Sequence, residues 1–280
     1  MINRKKIFAI ISDYDGTLCP TGNMRIKDQN MVPRRLEEIL QEISKEIPIC
    51  ILSSKDYWFL SPRVQFAGII SCIMGIETLV MDKSSDVRPK IKDHRMLYEN
   101  STLIKSAKAL EKLSEDVISR FPDIMVERKF TSEGFLAGVT FDWRDIKDWK
   151  EYSKLITEYV KKALPYEPYF PNCLYLQTYH SHPFLDVYAI KCDKGRGFDC
   201  VMTELKYIEK SGILYLGDLE NDNPAFAKAG ISIGIHSDPR VNPRLNCNYS
   251  LDYEQLPLFL QKLRNNDYLF CDELLAGHRM

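Results

Sequence analysis

The apolar run Ile7-Phe8-Ala9-Ile10-Ile11 is too short for a helix and passes straight into Ser12-Asp13-Tyr14-Asp15-Gly16-Thr17-Leu18. A run of this length and composition, closed by turn residues, reads as a buried strand. Packing gives such a strand no reason to finish in two acids, whereas open α/β sheets place their ligands at the carboxyl ends of parallel strands. Asp13 and Asp15 are therefore functional candidates, set against a plain acidic turn, for which Asp-Gly is a common pairing. The same device returns late in the chain, where Gly212-Ile213-Leu214-Tyr215-Leu216 runs into Gly217-Asp218-Leu219-Glu220-Asn221-Asp222. Two acidic strand ends that meet at one edge of a sheet are what a divalent-cation site needs.

Between these ends, short apolar runs alternate with helical stripes. Pro48 to Leu52 ends in Ser53-Ser54-Lys55-Asp56, Gly68 to Met74 is followed by Gly75-Ile76-Glu77, and Ala229 to Ile235 supplies a last run. Leu36, Ile39, Leu40 and Ile43 recur at helical spacing behind Pro33, and Leu256, Leu260 and Leu263 mark a closing helix. This alternation predicts a doubly wound parallel sheet, an α/β fold built from the two ends of the chain. The middle has a different order. A polar stretch between 82 and 89 reads as a linker. After it come a stripe at Leu103, Ala107, Leu110, Leu113, Val117 and Phe121, strand-like segments at 124–129 and 136–142, a second stripe at Trp149, Tyr152, Ile156, Tyr159 and Ala163, and strands at 173–179 and 184–189. The order α-β-β-α-β-β is a two-layer α+β module. The expected division is a core from 1–82 and 189–280, with an inserted domain at 83–188.

With 280 residues and 45% apolar content the chain has material for two domains. A net charge of -1 without long basic blocks argues against a nucleic-acid partner and for a small molecule. Eight cysteines form no Cys-x-x-Cys pair and several sit in apolar runs, as reduced core residues of a cytoplasmic protein do. The apolar run after Arg4-Lys5-Lys6 is too short for a signal peptide and no run approaches a bilayer span, so no membrane association is expected. The sequence carries no signal of oligomeric state. His180 and His182 flank Ser181 and offer either two metal ligands on one side of a strand or a hairpin turn ending at Pro183; no third ligand at fixed spacing completes a zinc set.

Asp13-Tyr14-Asp15-Gly16-Thr17-Leu18 resembles the first motif of the haloacid dehalogenase-like phosphohydrolase superfamily, and Gly217-Asp218-Leu219-Glu220-Asn221-Asp222-Asn223-Pro224 resembles the fourth. The resemblance implies that Asp13 is a nucleophile forming an aspartyl phosphate. It implies that Asp15 protonates the departing alkoxide and later activates water. Gly16 lets the backbone turn between them and, with Ser54 and Lys55, is assigned to the substrate side. Ser53 matches the second-motif hydroxyl that donates to phosphoryl oxygens; the alternative is a helix N-cap. Lys194, with Gly195 after it, matches the third-motif lysine that neutralises the nucleophile, and Lys191 is its rival. Asp218 would bind the metal, with Asn221 and Asp222 completing or orienting its shell. Hard oxygen ligands beside a phosphate suit Mg2+, with Asp13, Asp15, Asp218 and Asp222 as the expected ligand set.

The inserted module resembles the large α/β cap of sugar-phosphate phosphatases. Glu127-Arg128-Lys129, the strand ending at Asp142-Trp143-Arg144, and Gly75-Ile76-Glu77 resemble pieces of trehalose-phosphate phosphatases. By that likeness Glu77, Glu127, Lys129, Arg144 and Asn221 meet the substrate. Strand alternation puts Glu127 and Lys129 on one face, and Asp142 and Arg144 likewise, which fits sugar hydroxyls or cross-strand salt bridges. The implied activity is hydrolysis of a sugar phosphate, with trehalose-6-phosphate in front. The form of the fourth motif is closer to sucrose-phosphate or mannosyl-3-phosphoglycerate phosphatases, and Ser54-Lys55 stands where Gly-Arg is usual. A phosphomannomutase-like isomerase shares the first motif, but its longer glycine-rich fourth motif has no counterpart here. A non-catalytic sugar-phosphate sensor would have no need of Asp13, Asp15 and Asp218 together.

Overall fold

In the computed structural model, which describes residues 4–20, 31–82, 90–147, 149–164, 174–179, 182–237 and 243–275, the chain opens with β1 (Lys5–Lys6) and β2 (Ala9–Ser12). There follow α1 (Arg34–Ile43), β3 (Ile49–Leu52), the single turn α2 (Tyr57–Leu60), β4 (Ile69–Cys72), β5 (Glu77–Asp82) and β6 (Lys90–Met96). The middle holds α3 (Asn100–Arg120), β7 (Met125–Phe130), β8 (Leu136–Asp142), α4 (Trp149–Ala163), β9 (Tyr175–Thr178) and β10 (Phe184–Tyr188). The chain closes with α5 (Lys194–Glu204), β11 (Ile213–Gly217), α6 (Asn223–Phe226), β12 (Ile231–His236), β13 (Tyr249–Asp252), α7 (Leu256–Asn265) and β14 (Leu269–Phe270). These elements gather into two units: Met1–Ser54, Phe59–Arg95 and Asp193–Met280 form the first, and Lys55–Trp58 with Met96–Cys192 form the second.

The first unit is built on an eight-stranded sheet in the order β13-β12-β11-β2-β3-β4-β5-β6. From β13 to β4 every neighbouring pair is parallel. All residues of β2, β3 and β4 are buried, which is why they read as unbroken apolar runs: helices cover both faces of such a sheet. α1 turns Leu36, Leu40 and Ile43 inward, entered at Pro33, whose fixed φ suits a helix start. The parallel pattern ends at β5, which runs antiparallel to β4. The link between them is only Ile73-Met74-Gly75-Ile76, too short for a crossover, and three of its residues have positive φ of 50°, 58° and 88°. Gly75 is required there, since a Cβ would overlap the backbone of Gly197 in α5.

The second unit is a four-stranded sheet in the order β7-β8-β10-β9, antiparallel throughout. Leu103, Leu110, Leu113 and Val117 of α3 and Ile156 and Val160 of α4 form their buried faces. The main segment of this unit, Met96–Cys192, starts later than residue 83 because β6 is an edge strand of the first sheet. Its mostly exposed sequence Lys90-Ile91-Lys92-Asp93 contains no apolar run that would reveal it. Most of the expected linker, 83–89, lies outside the described residues. Cys19, Cys50, Cys72 and Cys192 are buried and form no disulfide among the described residues, and Cys173 is outside them. Among the described residues no helix is long and apolar enough to cross a membrane.

Candidate active site

Three adjacent parallel strands carry the site. Pairing of Leu216 in β11 with Ser12 in β2, and of Ser12 with Ile51 in β3, brings Asp218, Asp13 and Ser53 to neighbouring strand ends. Asp13 continues the ladder by donating its N–H to the Leu216 carbonyl at 2.9 Å. Asp13, Asp218 and Asp222 each offer an oxygen within 4.8 Å of the others. Into this cluster α5 delivers Lys194, its first residue; the Asp193 side chain caps the helix by accepting the Arg196 N–H at 2.9 Å. Lys194 is fully buried, with Nζ 2.6 Å from Asp13 Oδ2 and 2.7 Å from Asp222 Oδ1.

The three acids are held differently. Asp13 Oδ1 accepts the Tyr14 N–H at 2.7 Å, and burial, reinforced by Asp222 and opposed by Lys194, pushes the Asp13 carboxyl up to about 6. Burial and the charges of Asp13 and Asp222 push Asp218 well above the usual carboxylate range. Thr17 Oγ1 donates to Asp218 Oδ1 at 3.2 Å, and the other side of that carboxylate rests on Gly16, whose φ of 78° and missing Cβ make room for it. Asp222 is saturated. Its Oδ1 accepts from Lys194 at 2.7 Å and from Tyr215 Oη at 2.6 Å, and its Oδ2 accepts the N–H groups of Asp218 and Leu219, both at 3.1 Å. Burial alone would depress the Lys194 pKa, but Asp13 and Asp222 raise it instead, so the ammonium stays charged. Three acids share one ammonium, more than the buried space can hold ionised by itself, which is the electrostatic setting for a divalent cation held by oxygen ligands. Asp13 and Asp218 have oxygen lone pairs for it.

Two members of the expected ligand set sit differently from Asp13 and Asp218. Asp222 belongs to the acid cluster, with its oxygens accepting from Lys194, Tyr215 and two backbone N–H groups. Asp15 is outside the cluster, because the chain turns sharply after Tyr14, with Gly16 N–H bonded to Cys19 O at 2.7 Å; its charge still reaches Asp218. Ser53 is buried, its N–H donating to Ser71 O at 3.0 Å and its carbonyl accepting from Met74 N at 2.9 Å, while Ser54 beside it is half-buried. Asn221 is buried in the turn Glu220–Asp222 and directs Nδ2 at the Met74 sulfur, 3.9 Å away. Glu77, expected to meet substrate, is instead fully buried in β5 and contacts His94 Nε2 at 2.9 Å. Lys191 is no rival to Lys194: the lysine in the cluster is Lys194.

Cross-strand register puts Glu127, Thr140, Asp186 and Gln177 in one row across the second unit's sheet. Lys129 belongs to the same face and is only 2% exposed, with Nζ 3.1 Å from Asp186 Oδ1. Asp186 also accepts from Thr140 Oγ1, from Tyr179 Oη at 2.8 Å and from Tyr188 Oη at 3.0 Å. Burial works against its charge, but Lys129 and these hydroxyls hold Asp186 below the usual carboxylate range. Lys55 Nζ lies 2.7 Å and 2.8 Å from the two oxygens of Glu127, and Arg144 Nε donates to Asp142 at 2.7 Å. Lys55, Glu127, Lys129 and Arg144 were all expected on the substrate side; here each is neutralised by a partner in the protein. For Lys129 the reason is burial, since an unpaired ammonium in that position would be strongly destabilising. His182 lies edge-on to Tyr179 and tilted against Phe184, with ring centroids 6.5 Å and 5.4 Å away, and His180 lies outside the described residues.

A family model described as haloacid dehalogenase-like hydrolase matches residues 90–241, more than half of the chain. The chain belongs to the haloacid dehalogenase-like hydrolases. The match to this hydrolase family takes in Lys194, Asp218 and Asp222 but stops short of Asp13, so the cluster joins matched and unmatched parts of the chain. Among solved structures, the C-terminal domain of a trehalose-6-phosphate phosphatase from C. albicans is similar at a TM-score of 0.65 and 17% identity, over 93% of each chain. A trehalose-6-phosphate phosphatase related protein is similar at a TM-score of 0.58 and 16% identity, over 92% of this chain and 97% of the other. A haloacid dehalogenase-like hydrolase from Bacteroides thetaiotaomicron is similar at 0.59 and 14%, over 92% of this chain and 100% of the other. At these identities the likeness is one of fold. No curated protein matches the chain in sequence.

Sequence reasoning passed over Tyr215, Thr17 and Asp186. Their signal was available: each is a polar group in a stretch otherwise spent on burial, and a buried phenol or carboxylate must have a partner.

Proposed function

We propose that this hydrolase is a magnesium-dependent phosphomonoesterase acting on a phosphorylated sugar through an aspartyl phosphate at Asp13. The observation that carries this reading is the buried set of Asp13, Asp218 and Asp222 with Lys194 at the ends of adjacent parallel strands. An Asp13 oxygen attacks phosphorus, the bond from phosphorus to the sugar oxygen breaks, and Asp15 gives that oxygen its proton. Asp15 then takes a proton from water as the water oxygen bonds to phosphorus and the bond to Asp13 breaks, so that free sugar and inorganic phosphate leave and both acids are restored. Lys194 holds Asp13 in position and offsets its charge, and Ser53 supplies a hydroxyl at the next strand end. A magnesium ion held by Asp13 and Asp218 would offset the charge of the phosphoryl oxygens. Trehalose-6-phosphate is the first candidate for the sugar because two of the similar folds carry that name. We assign choice of the leaving group to the second unit, and unlinked buried cysteines favour the cytoplasm.

Incubation with p-nitrophenyl phosphate and magnesium tests the chemistry: nitrophenol release that stops in excess chelator supports it, and release unaffected by chelator contradicts the metal. A panel of disaccharide and hexose phosphates, read by phosphate release, then identifies the sugar; equal rates across the panel would argue against a sugar-specific enzyme.

A further inference from the structure

Strand β11 is Ile-Leu-Tyr-Leu-Gly, a buried aliphatic run interrupted by Tyr215. Its ring is fully buried and clamped by aromatic neighbours, edge-on to Phe226 at 5.4 Å and tilted against Phe198 at 6.3 Å. The hydroxyl donates to Asp222 Oδ1 at 2.6 Å, the oxygen that also takes Lys194. Burial, with the charges of Asp222 and Asp13, keeps the phenol protonated and so a permanent donor.

We propose that Tyr215 is a positioning residue: its hydroxyl fixes the Asp222 carboxylate, and through it holds Lys194 against Asp13. The argument is one of stiffness. Lys194 is a point charge on a flexible four-carbon stem with three rotatable donors, so its acceptors decide where it sits. One acceptor, Asp13, is the group it has to serve, which leaves Asp222 as the anchor. Asp222 is itself gripped on Oδ2 by two backbone N–H groups at 3.1 Å, which leave the direction of Oδ1 to Tyr215 and Lys194. Of these two only Tyr215 is rigid, with two side-chain torsions and a ring locked between Phe198 and Phe226. Order therefore passes from the aromatic core through Tyr215 and Asp222 to the Lys194 contact of 2.6 Å with Asp13.

The catalytic part of this inference rests on the proposed role of Asp13; the geometric part does not. The test is Tyr215→Phe, which keeps the ring and removes only the hydroxyl, with Leu263→Ala in α7 as a packing control that leaves the hydroxyl and its aromatic clamp in place. With p-nitrophenyl phosphate and magnesium, Tyr215→Phe is expected to lower kcat by about ten- to a hundredfold at a KM within about twofold of wild type. Its crystal structure is expected to show Lys194 withdrawn from Asp13. Leu263→Ala is expected to lower Tm while kcat stays within about twofold of wild type. The proposal is overturned if Tyr215→Phe keeps kcat within about twofold, if Lys194 stays on Asp13 without the hydroxyl, or if Leu263→Ala loses as much kcat as Tyr215→Phe. A wild-type protein with no turnover would refute the phosphatase reading, and the Tyr215→Phe crystal structure alone would then decide the positioning role.

Discussion

Two buried aspartates, Asp218 in the first unit and Asp186 in the second, are pushed in opposite directions. Asp186 is surrounded by a buried ammonium and three hydroxyls, and it is held below the usual carboxylate range. Asp218 faces two further carboxylates with one ammonium shared among them, and it is raised well above that range. The first arrangement is balanced and finished; the second has surplus negative charge that the fold does not answer. Buried charge placed for stability is compensated within the chain, whereas buried charge placed for chemistry is left for a ligand to compensate.

The contrast can be broken most severely at Asp13. Asp13→Asn keeps the shape but cannot attack phosphorus, so turnover of p-nitrophenyl phosphate should fall by roughly a thousandfold or more while the fold persists. Activity within tenfold of wild type would remove the functional half of the comparison. In the second unit the expected loss is of stability. Lys129→Met strands the Asp186 charge and should cost about 3–5 kcal/mol in denaturant unfolding, whereas adding Asp186→Asn, which removes the charge and keeps an acceptor for the hydroxyls, should recover part of that loss. A single variant as stable as wild type would show that the pair is not the balance described. Removing charge from the acid cluster should do the reverse. Asp218→Asn relieves repulsion with Asp13 and Asp222, so in chelator it should raise stability by about 1 kcal/mol even as it removes metal-dependent activity.

The smallest expected effect is a pH slope. With its folded pKa raised to about 6 from the ordinary 3.8, Asp13 binds more proton in the native than in the unfolded state between those values, and Asp218 acts in the same direction. Stability in chelator should therefore fall as pH rises through that window, and the fall should be smaller in Asp218→Asn. Asp186, shifted the other way, adds stability above its unfolded value and loses it only as pH falls through its lower folded value. A Tm that climbs steadily from pH 4 to 7 in chelator would contradict the surplus-charge account.

Much of the first unit was legible because its physics is local. β2, β3 and β11 are apolar runs ending in acids or hydroxyls, and α1 and α7 show their buried stripes directly. The motif acids Asp13 and Asp218 and the cation Lys194 do converge. What escaped was partnership. Nothing in the sequence around Lys129 says that Asp186, distant along the chain, will claim it, or that four donors will saturate Asp222. β6 escaped because an exposed edge strand has no apolar pattern, and β5 because its direction is set by the left-handed turn at Ile73–Gly75. A residue type can be read from sequence, but a charge becomes structural or chemical only through what the fold sets beside it.

The central claim is that the uncompensated cluster makes Asp13 a nucleophile. Acid quenching of the enzyme during turnover with substrate and magnesium, followed by peptide mass spectrometry, tests it most directly. The account predicts a transient phosphoryl group on the peptide that contains Asp13, absent without substrate and absent in Asp13→Asn. Continued hydrolysis with no phosphorylated peptide, or with the phosphoryl group on another residue, would contradict it.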